Sequence, residues 1–257
     1  MISVIRFWGT GLAFAMATAV SLPVPAAVVY TSQDRSIFGQ VAEADGGQAT
    51  LDEATDSAFD LGPFFGAADA RYDVTEVPDA TGVVDAAGEQ VSSFDDQSIQ
   101  ATGSAQVSAT ATTSDPLAWA AAGSFFEVAF TLTEPTTVQL TGELGSTRDA
   151  SSLPGSGGFG DVGAQILLRT DTGITVFLAS YLEGQDASPV TVAEQLFLVG
   201  GDYVLEVDAF AAELAEELFE VTASFDVSLE IPEPATGLIA LAGLGIIALR
   251  RSPSARR

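Results

Sequence analysis

Residues 219–230, with the sequence FEVTASFDVSLE, alternate apolar and polar side chains without interruption. The odd positions are apolar, and every even position is Glu, Thr, Ser or Asp. A period of two is the period of a β-strand with one buried face and one solvated face. This segment therefore predicts a half-buried strand close to the C-terminal end of the main body of the chain.

The same alternation recurs upstream. Phe126 to Leu132 repeat it, and Val138 and Leu140 continue it after a turn at Glu134-Pro135. Two hairpins are predicted, one joining 164–170 to 174–181 and one joining 196–199 to 203–207 through Gly200-Gly201. Residues 99–112 alternate small and polar side chains, which predicts a long flat strand, or a strand pair, packed closely on a bulky partner.

Two segments fit the pattern less well. Phe210 to Phe219 have apolar residues at helical spacing but several glutamates on the other face, so we interpret this segment as a loop or one short helix. Residues 40–90 are rich in Ala, Asp and Gly and are interpreted as irregular. Short strands separated by Gly and Pro predict an all-β fold, a single antiparallel β-sandwich of jelly-roll-like type.

The composition excludes several kinds of chemistry. The chain has 35 acidic residues, nine arginines, a net charge of −26, and no Lys, His, Cys or Asn. Without His, a Ser-His-Asp triad or a His-based zinc site cannot form, and without Cys there is neither a disulfide nor a thiol nucleophile. Without Lys, Schiff-base chemistry and a P-loop are excluded.

The negative charge is concentrated in the middle of the chain. Residues 28–230 hold 34 of the acidic residues and only four of the arginines. Such a body is repelled by nucleic-acid phosphates, so nucleic-acid binding is excluded. Because the acidic residues are spread along the whole body, we interpret them as favouring solubility and not as forming a specific cation site. Asp95-Asp96 is a candidate calcium clamp, but its surroundings lack the spacing of an EF-hand loop, so we expect no metal and no cofactor.

The N-terminus has the pattern of a signal peptide over residues 1–26. Arg6 is followed by an apolar run, then by two prolines and small residues, which indicates cleavage after Ala26 or Ala27 by signal peptidase. The alternative is a retained anchor, but the run is short for a membrane span. An export signal predicts that the acidic domain, residues 27–230, works outside the cytoplasm.

The C-terminus, residues 231–257, has three parts in a fixed order. Pro232-Glu233-Pro234 is followed by an apolar stretch, which predicts a short hydrophobic helix, and then by Arg250-Arg251 and a terminal Arg pair. Fifteen apolar residues cover about 22 Å, less than the ~30 Å hydrocarbon core, and the arginines act as a cytoplasmic stop. The segment therefore predicts transient anchoring in the inner membrane beside an extended, accessible junction.

This arrangement resembles the PEP-CTERM sorting signal. The resemblance covers only about the last 27 residues, and the basic end is split by residues 252–255. It implies processing by exosortase, a membrane enzyme of Gram-negative bacteria, release to the cell surface or extracellular space, and a role in exopolysaccharide and biofilm. The body is only loosely similar to other members of that family, and no active-site residues follow from the resemblance.

The body offers no distinct catalytic motif. With 34 carboxylates, no particular pair is indicated for a glycosidase. Gly155 to Asp161 are glycine-rich but lack the lysine of a phosphate-binding loop. Trp119, Phe64, Phe65 and Tyr181 could stack on sugar rings if they are exposed. We therefore expect a non-enzymatic structural or polysaccharide-associated protein; the alternatives are a polysaccharide-acting enzyme with a carboxylate pair and a calcium-dependent adhesion module.

Overall fold

The computed structural model describes residues 28–43, 50–73, 82–110, 118–148, 162–182, 188–214 and 219–232. All of them belong to one compact unit, Ala26–Glu233. Every regular element in these ranges is a β-strand, and these ranges contain no helix long and apolar enough to cross a membrane. The predicted signal peptide, most of the sorting signal and the glycine-rich segment 155–161 lie outside the described residues.

Twelve strands are described. They are β1 Val28–Glu43, β2 Thr50–Ala58, β3 Phe64–Asp73, β4 Val83–Phe94, β5 Ser98–Ala109, β6 Ala118–Leu132, β7 Thr136–Arg148, β8 Val162–Thr170, β9 Thr175–Leu182, β10 Val190–Leu198, β11 Gly201–Leu214 and β12 Phe219–Glu230.

The strands form two six-stranded antiparallel sheets that pack as a sandwich. Sheet A has the order β2-β1-β6-β11-β8-β9, and sheet B has the order β10-β7-β12-β5-β4-β3. The last eight strands make nested antiparallel pairs: β5 with β12, β6 with β11, β7 with β10 and β8 with β9. Strands β1 to β4 extend each sheet by two strands. The predicted all-β antiparallel sandwich is confirmed.

The core lies between the sheets and follows the period-two alternation. Every odd residue of β12 from Phe219 to Leu229 is buried, whereas the even residues are exposed or half-buried. Large aliphatic and aromatic residues from the other central strands complete the core, among them Phe126, Phe130, Leu140, Ile166 and Leu205.

Where β1 faces β3 and β4, the two sheets approach each other very closely. Gly39 of β1 faces β4, and a Cβ atom built on it would lie 2.2 Å from the carbonyl oxygen of Ala86. A Cβ on Gly88 would lie 2.3 Å from Cγ2 of Ile37. Ala70, on β3, is also fully buried there. Small residues on facing strands thus allow a close approach of the two backbones that a larger side chain would block.

A buried arginine fixes the chain between β2 and β3. Arg35 is fully buried, and its Nη1 donates to the carbonyl of Gly62 at 2.7 Å and to Oγ of Ser92 at 3.3 Å. Its Nη2 donates to the carbonyl of Asp60 at 2.6 Å and lies 3.3 Å from that residue's Oδ1. The rings of Phe64 and Phe94 lie 5.0 and 5.5 Å from the guanidinium carbon.

Several local predictions are confirmed. Strands β8 and β9 form the predicted hairpin, whose turn places Gly173 at a φ of +84°, a conformation that glycine adopts readily. Residues 99–112 begin as one long strand, β5. In its middle, Phe225 of β12 covers Gly103, because a Cβ there would lie 2.5 Å from Cζ of the ring. The bulky partner predicted for this segment is therefore present.

Three local predictions are wrong. Residues 196–207 do not form a hairpin, because β10 pairs with β7 in sheet B while β11 pairs with β6 and β8 in sheet A, so Gly200-Gly201 carries the chain from one sheet to the other. Residues 210–214 belong to β11, not to a loop or helix. Residues 40–90 contain most of three strands instead of irregular structure.

Candidate functional site

The outer face of sheet A carries a row of carboxylates on three adjacent strands. Asp34 of β1 pairs with Glu127 of β6, and Glu127 pairs with Glu206 of β11. Asp208 follows two residues after Glu206 on the same face. Directly opposite residues on neighbouring strands have Cβ atoms about 4.5–5.5 Å apart, so the register brings like charges together. We call Asp34, Glu127, Glu206 and Asp208 the acidic row.

One arginine offsets part of this charge. Arg169, on β8, donates from Nε to Oε1 of Glu206 and forms an ion pair with the same carboxylate through Nη2. Its Nη2 also lies 3.6 Å from Oε2 of Glu127. Arg169 therefore holds the two glutamates side by side but leaves the row with a net negative charge.

The environment raises the pKa of two members of the acidic row. Burial raises the pKa of Glu127, and the neighbouring Glu206 and Asp34 raise it further, while Arg169 opposes the change. Burial also raises the pKa of Asp208, with a further contribution from Glu206. These carboxyl groups therefore take up a proton at a higher pH than an ordinary carboxyl group does.

Aromatic rings lie directly beside the acidic row. Phe38 stacks on Phe125 with centroids 6.0 Å apart and planes 12° apart, and Phe210 lies 6.3 Å from Phe38. Phe38 and Phe210 are the cross-strand neighbours of Gly123, which has no side chain to separate them from Phe125. We call Phe38, Phe125 and Phe210 the aromatic platform. Phe125 is its most exposed member, at 37%.

A depression of about 290 Å³ lies where the acidic row meets the platform. It is lined by Asp34, Ser36, Phe125, Phe126, Glu127, Glu206, Val207 and Asp208. An aromatic face packs on the C–H side of a sugar ring, and carboxylates accept hydrogen bonds from hydroxyl groups. Two adjacent carboxyl groups, one of them with a raised pKa, are also what general acid–base catalysis of glycosidic bond hydrolysis requires.

The aromatic residues singled out from the sequence are placed differently. Tyr181 and Phe64 are buried, at 5% and 7% exposure, so neither can stack on a sugar. Phe65 is 76% exposed but lies on the edge strand β3, in the other sheet. Trp119 is half-buried on β6, on the face that carries the platform. The platform itself was not identified from the sequence.

Asp95 and Asp96 lie in the turn between β4 and β5. Oδ1 of Asp95 accepts hydrogen bonds from the backbone N–H groups of Gln97 and Ser98, both at 2.8 Å. The hydroxyl of Tyr30 donates to the carbonyl of Asp95 at 2.6 Å. These contacts give Asp95 a role in the turn. Within the described ranges, no group of three or more acidic side chains has a geometry that could hold a metal ion.

The predicted sorting motif begins where the described part of the body ends. Ile231 is buried, and its N–H donates to the carbonyl of Gln97 at 2.7 Å, whereas the next residue, Pro232, is exposed. The other residues assigned to processing, Glu233 and Pro234, Arg250 and Arg251, and Ala26 and Ala27, lie outside the described residues.

Comparison with known proteins gives little. No family model and no curated protein matches the chain. Among solved structures, it is similar to the VP2 subviral particle of infectious bursal disease virus, with 11% identity over 84% of this chain and 69% of that chain and a TM-score of 0.19. For T=1 particles derived from the same virus, the identity is 11% over 84% of this chain and 66% of that chain, with a TM-score of 0.17. For the Gx strain of the virus, the identity is 12% over 84% of this chain and 68% of that chain, with a TM-score of 0.17.

Proposed function

We propose that this chain is an exported, non-enzymatic protein of a Gram-negative bacterium that is released to the cell surface or extracellular matrix and associates there with polysaccharide. The observation that carries the proposal is the C-terminal sequence of Pro232-Glu233-Pro234, apolar stretch and Arg cluster, paired with an N-terminal export signal. In this view signal peptidase removes residues 1–26, and the tail anchors the chain in the inner membrane until an exosortase-type enzyme cuts it.

The body fits a passive, stable module. Its nested strand pairs support a finer assignment of β5–β12 as a jelly roll, extended by β1–β4. The exposed Pro232 directly after the buried Ile231 supports the idea that a processing enzyme can reach the junction without unfolding the domain.

The first test concerns the two ends. We expect protein recovered from the native host's culture fluid to have lost both residues 1–26 and the apolar tail, and intact-mass analysis measures both termini at once. Replacing Pro232 and Pro234 by alanine should leave the chain in the membrane fraction if the extended junction is needed. Secreted material that still contains residues 235–257 would contradict the sorting proposal.

The acidic row and the aromatic platform support the polysaccharide part of the proposal. The platform supplies a ring face, and the carboxylates favour hydroxyl and ammonium groups while repelling anionic sugars. We therefore propose that the partner is a neutral or amino-sugar polysaccharide rather than a uronic-acid polymer.

The second test measures binding. In affinity electrophoresis, we expect retardation by chitosan or a neutral glucan but not by alginate. Phe125→Ala should weaken it by about tenfold, in line with the energy of one aromatic contact. The matched control is Phe65→Ala, which removes an exposed ring from β3, an edge strand of the other sheet. Equal retardation of wild type and both variants would contradict a role for the platform.

A carboxylate-pair hydrolase is the second candidate, because the side-by-side Glu127 and Glu206 and the raised pKa of Glu127 favour it. Measuring reducing ends on the same polysaccharides separates the two candidates. A hydrolase would release reducing ends from a bound polysaccharide, and Glu127→Gln would abolish that release while leaving retardation in place. A binding module releases none.

A further inference from the structure

Among the described strands, four lie at sheet edges: β2 and β9 in sheet A, and β3 and β10 in sheet B. An edge strand presents unpaired backbone N–H and C=O groups, and proteins usually protect such edges with charged residues. Strand β2 contains Asp52, Glu53 and Asp56. Strand β3 contains two aspartates and an arginine, and β10 contains Glu194. Strand β9, with the sequence TVFLASYL, contains no charged residue.

The side chains of β9 are also unusually apolar for an exposed strand. On its outer face, Val176, Leu178 and Leu182 are 37%, 55% and 58% exposed, and Ile174 just before the strand is 66% exposed. On its inner face, Phe177 and Ala179 are only half-buried, although both pack against the core. A further strand beside β9 would cover both sets of side chains.

The charge of the body restricts what that further strand can be. Two copies of so acidic a chain repel each other, and so they can approach closely only where carboxylates are absent. Among the four described edge strands, β9 alone contains no carboxylate. An identical strand supplies matching hydrogen-bonding groups and an equally uncharged surface, and an isologous pairing closes after two copies.

We propose that β9 is a self-association edge, at which β9 of one chain pairs antiparallel with β9 of a second copy. Sheet A then continues across a twofold axis from six strands to twelve. Because that axis is perpendicular to the sheet, both outer faces lie on the same side of the pair. This inference does not depend on the proposed polysaccharide, although it would place two aromatic platforms on one surface.

A cysteine scan tests the pairing on the full chain. The natural sequence has no cysteine, so any disulfide in a single-cysteine variant must join two copies. Each residue from Val176 to Leu182 is replaced by Cys in turn, and the purified full-length chain is oxidised and analysed without reductant. In an antiparallel pair only the residue at the axis lies within disulfide reach of its own copy; a residue two positions away is about 13 Å from it.

We therefore expect a single sharp maximum of cross-linked dimer near the middle of β9. The matched control is Ser57→Cys on β2, an exposed serine on the opposite, acidic edge of sheet A. It should give about tenfold less dimer or lower, because its geometry brings no second cysteine within bonding distance. If copies associated through the apolar chain ends instead, the amount of cross-linked dimer would rise equally in the Ser57→Cys control and in all variants of the scan.

A second variant tests the cause of the maximum. Leu182→Lys, added to the best cysteine variant, places two lysines in the paired edge and should abolish the cross-link, while the exposed position leaves folding intact by circular dichroism. A flat scan at the control level, a maximum that survives Leu182→Lys, or cross-linking to a protein of different mass would each overturn the proposal.

Discussion

Replacing Gly39 by alanine is expected to destabilise the sandwich by about 3 kcal/mol, the upper end of what overpacking usually costs. The added methyl group would lie 2.2 Å from the carbonyl oxygen of Ala86 and 3.2 Å from the backbone nitrogen of Ala70. Both contacts are with backbone of the opposite sheet, which cannot turn aside as a flexible side chain can. Relief therefore requires the sheets to separate locally, and this weakens the neighbouring contacts as well.

The chain provides a matched control in Gly145, on β7. A Cβ atom there would meet nothing closer than 3.7 Å, from Pro189 and Ser224. Gly145→Ala should be neutral or slightly stabilising, because alanine restricts the unfolded chain more than glycine does. Chemical denaturation of both variants measures the difference. Equal midpoints for Gly39→Ala and Gly145→Ala would show that the sheets are not in contact at Gly39.

Strand positions could be predicted from the sequence wherever large apolar residues alternate with polar ones, as in β12 and the second half of β6. The failures occurred where the buried residues are small or polar. In β1 and β4 the inward positions include Gly39, Ala86 and Gly88, which carry little hydropathy signal. In β11 the last inward residue is Glu213, a charged residue paired with Arg148, so the apolar alternation does not extend to the end of the strand.

Apart from the β8–β9 hairpin, the pairing partners of the strands could not be predicted. Gly200-Gly201 has the composition of a tight hairpin turn, and local periodicity is the same whether the next strand pairs with the last one or crosses to the other sheet. The outcome depends on long-range competition: β7 takes β10, while β6 and β8 take β11.

The candidate site could not be predicted from the sequence, because it too depends on which strands pair. Asp34, Glu127 and Glu206 are separated by dozens of residues, and only the register of β1, β6 and β11 brings them into one row. Nothing distinguishes these three from the other acidic residues of the body until their neighbours are known. The aromatic platform likewise depends on strand register, which places Phe38 and Phe210 on either side of Gly123.

Arg35 should be the most sensitive charged residue of the body. Removing its side chain by Arg35→Ala leaves the carbonyls of Asp60 and Gly62 without their donor and opens a cavity between Phe64 and Phe94. We expect a loss of about 3–5 kcal/mol in the free energy of unfolding, the usual cost of breaking a buried charged network.

A lysine at this position should recover only part of that loss. Its single ammonium group cannot donate along the two separate directions that Nη1 and Nη2 of Arg35 use, and it stacks less well on the two phenylalanine rings. Burial also disfavours the charged form of a basic side chain, and it lowers the pKa of Arg35. The same burial has a larger effect on the pKa of a lysine.

The matched control for Arg35 is Arg71, an exposed arginine on β3. Its guanidinium lies 3.6 Å from Asp73 and 3.7 Å from Asp85, but its side chain is 58% exposed. Exposed pairs of this kind contribute about 0–1 kcal/mol, so Arg71→Ala should shift the denaturation midpoint only slightly. Comparable shifts for Arg35→Ala and Arg71→Ala would show that the buried network does not hold residues 60–62 against β1. A large loss at Arg35 alone would mean that the chain between β2 and β3 is fixed by one buried cation in an otherwise anionic protein.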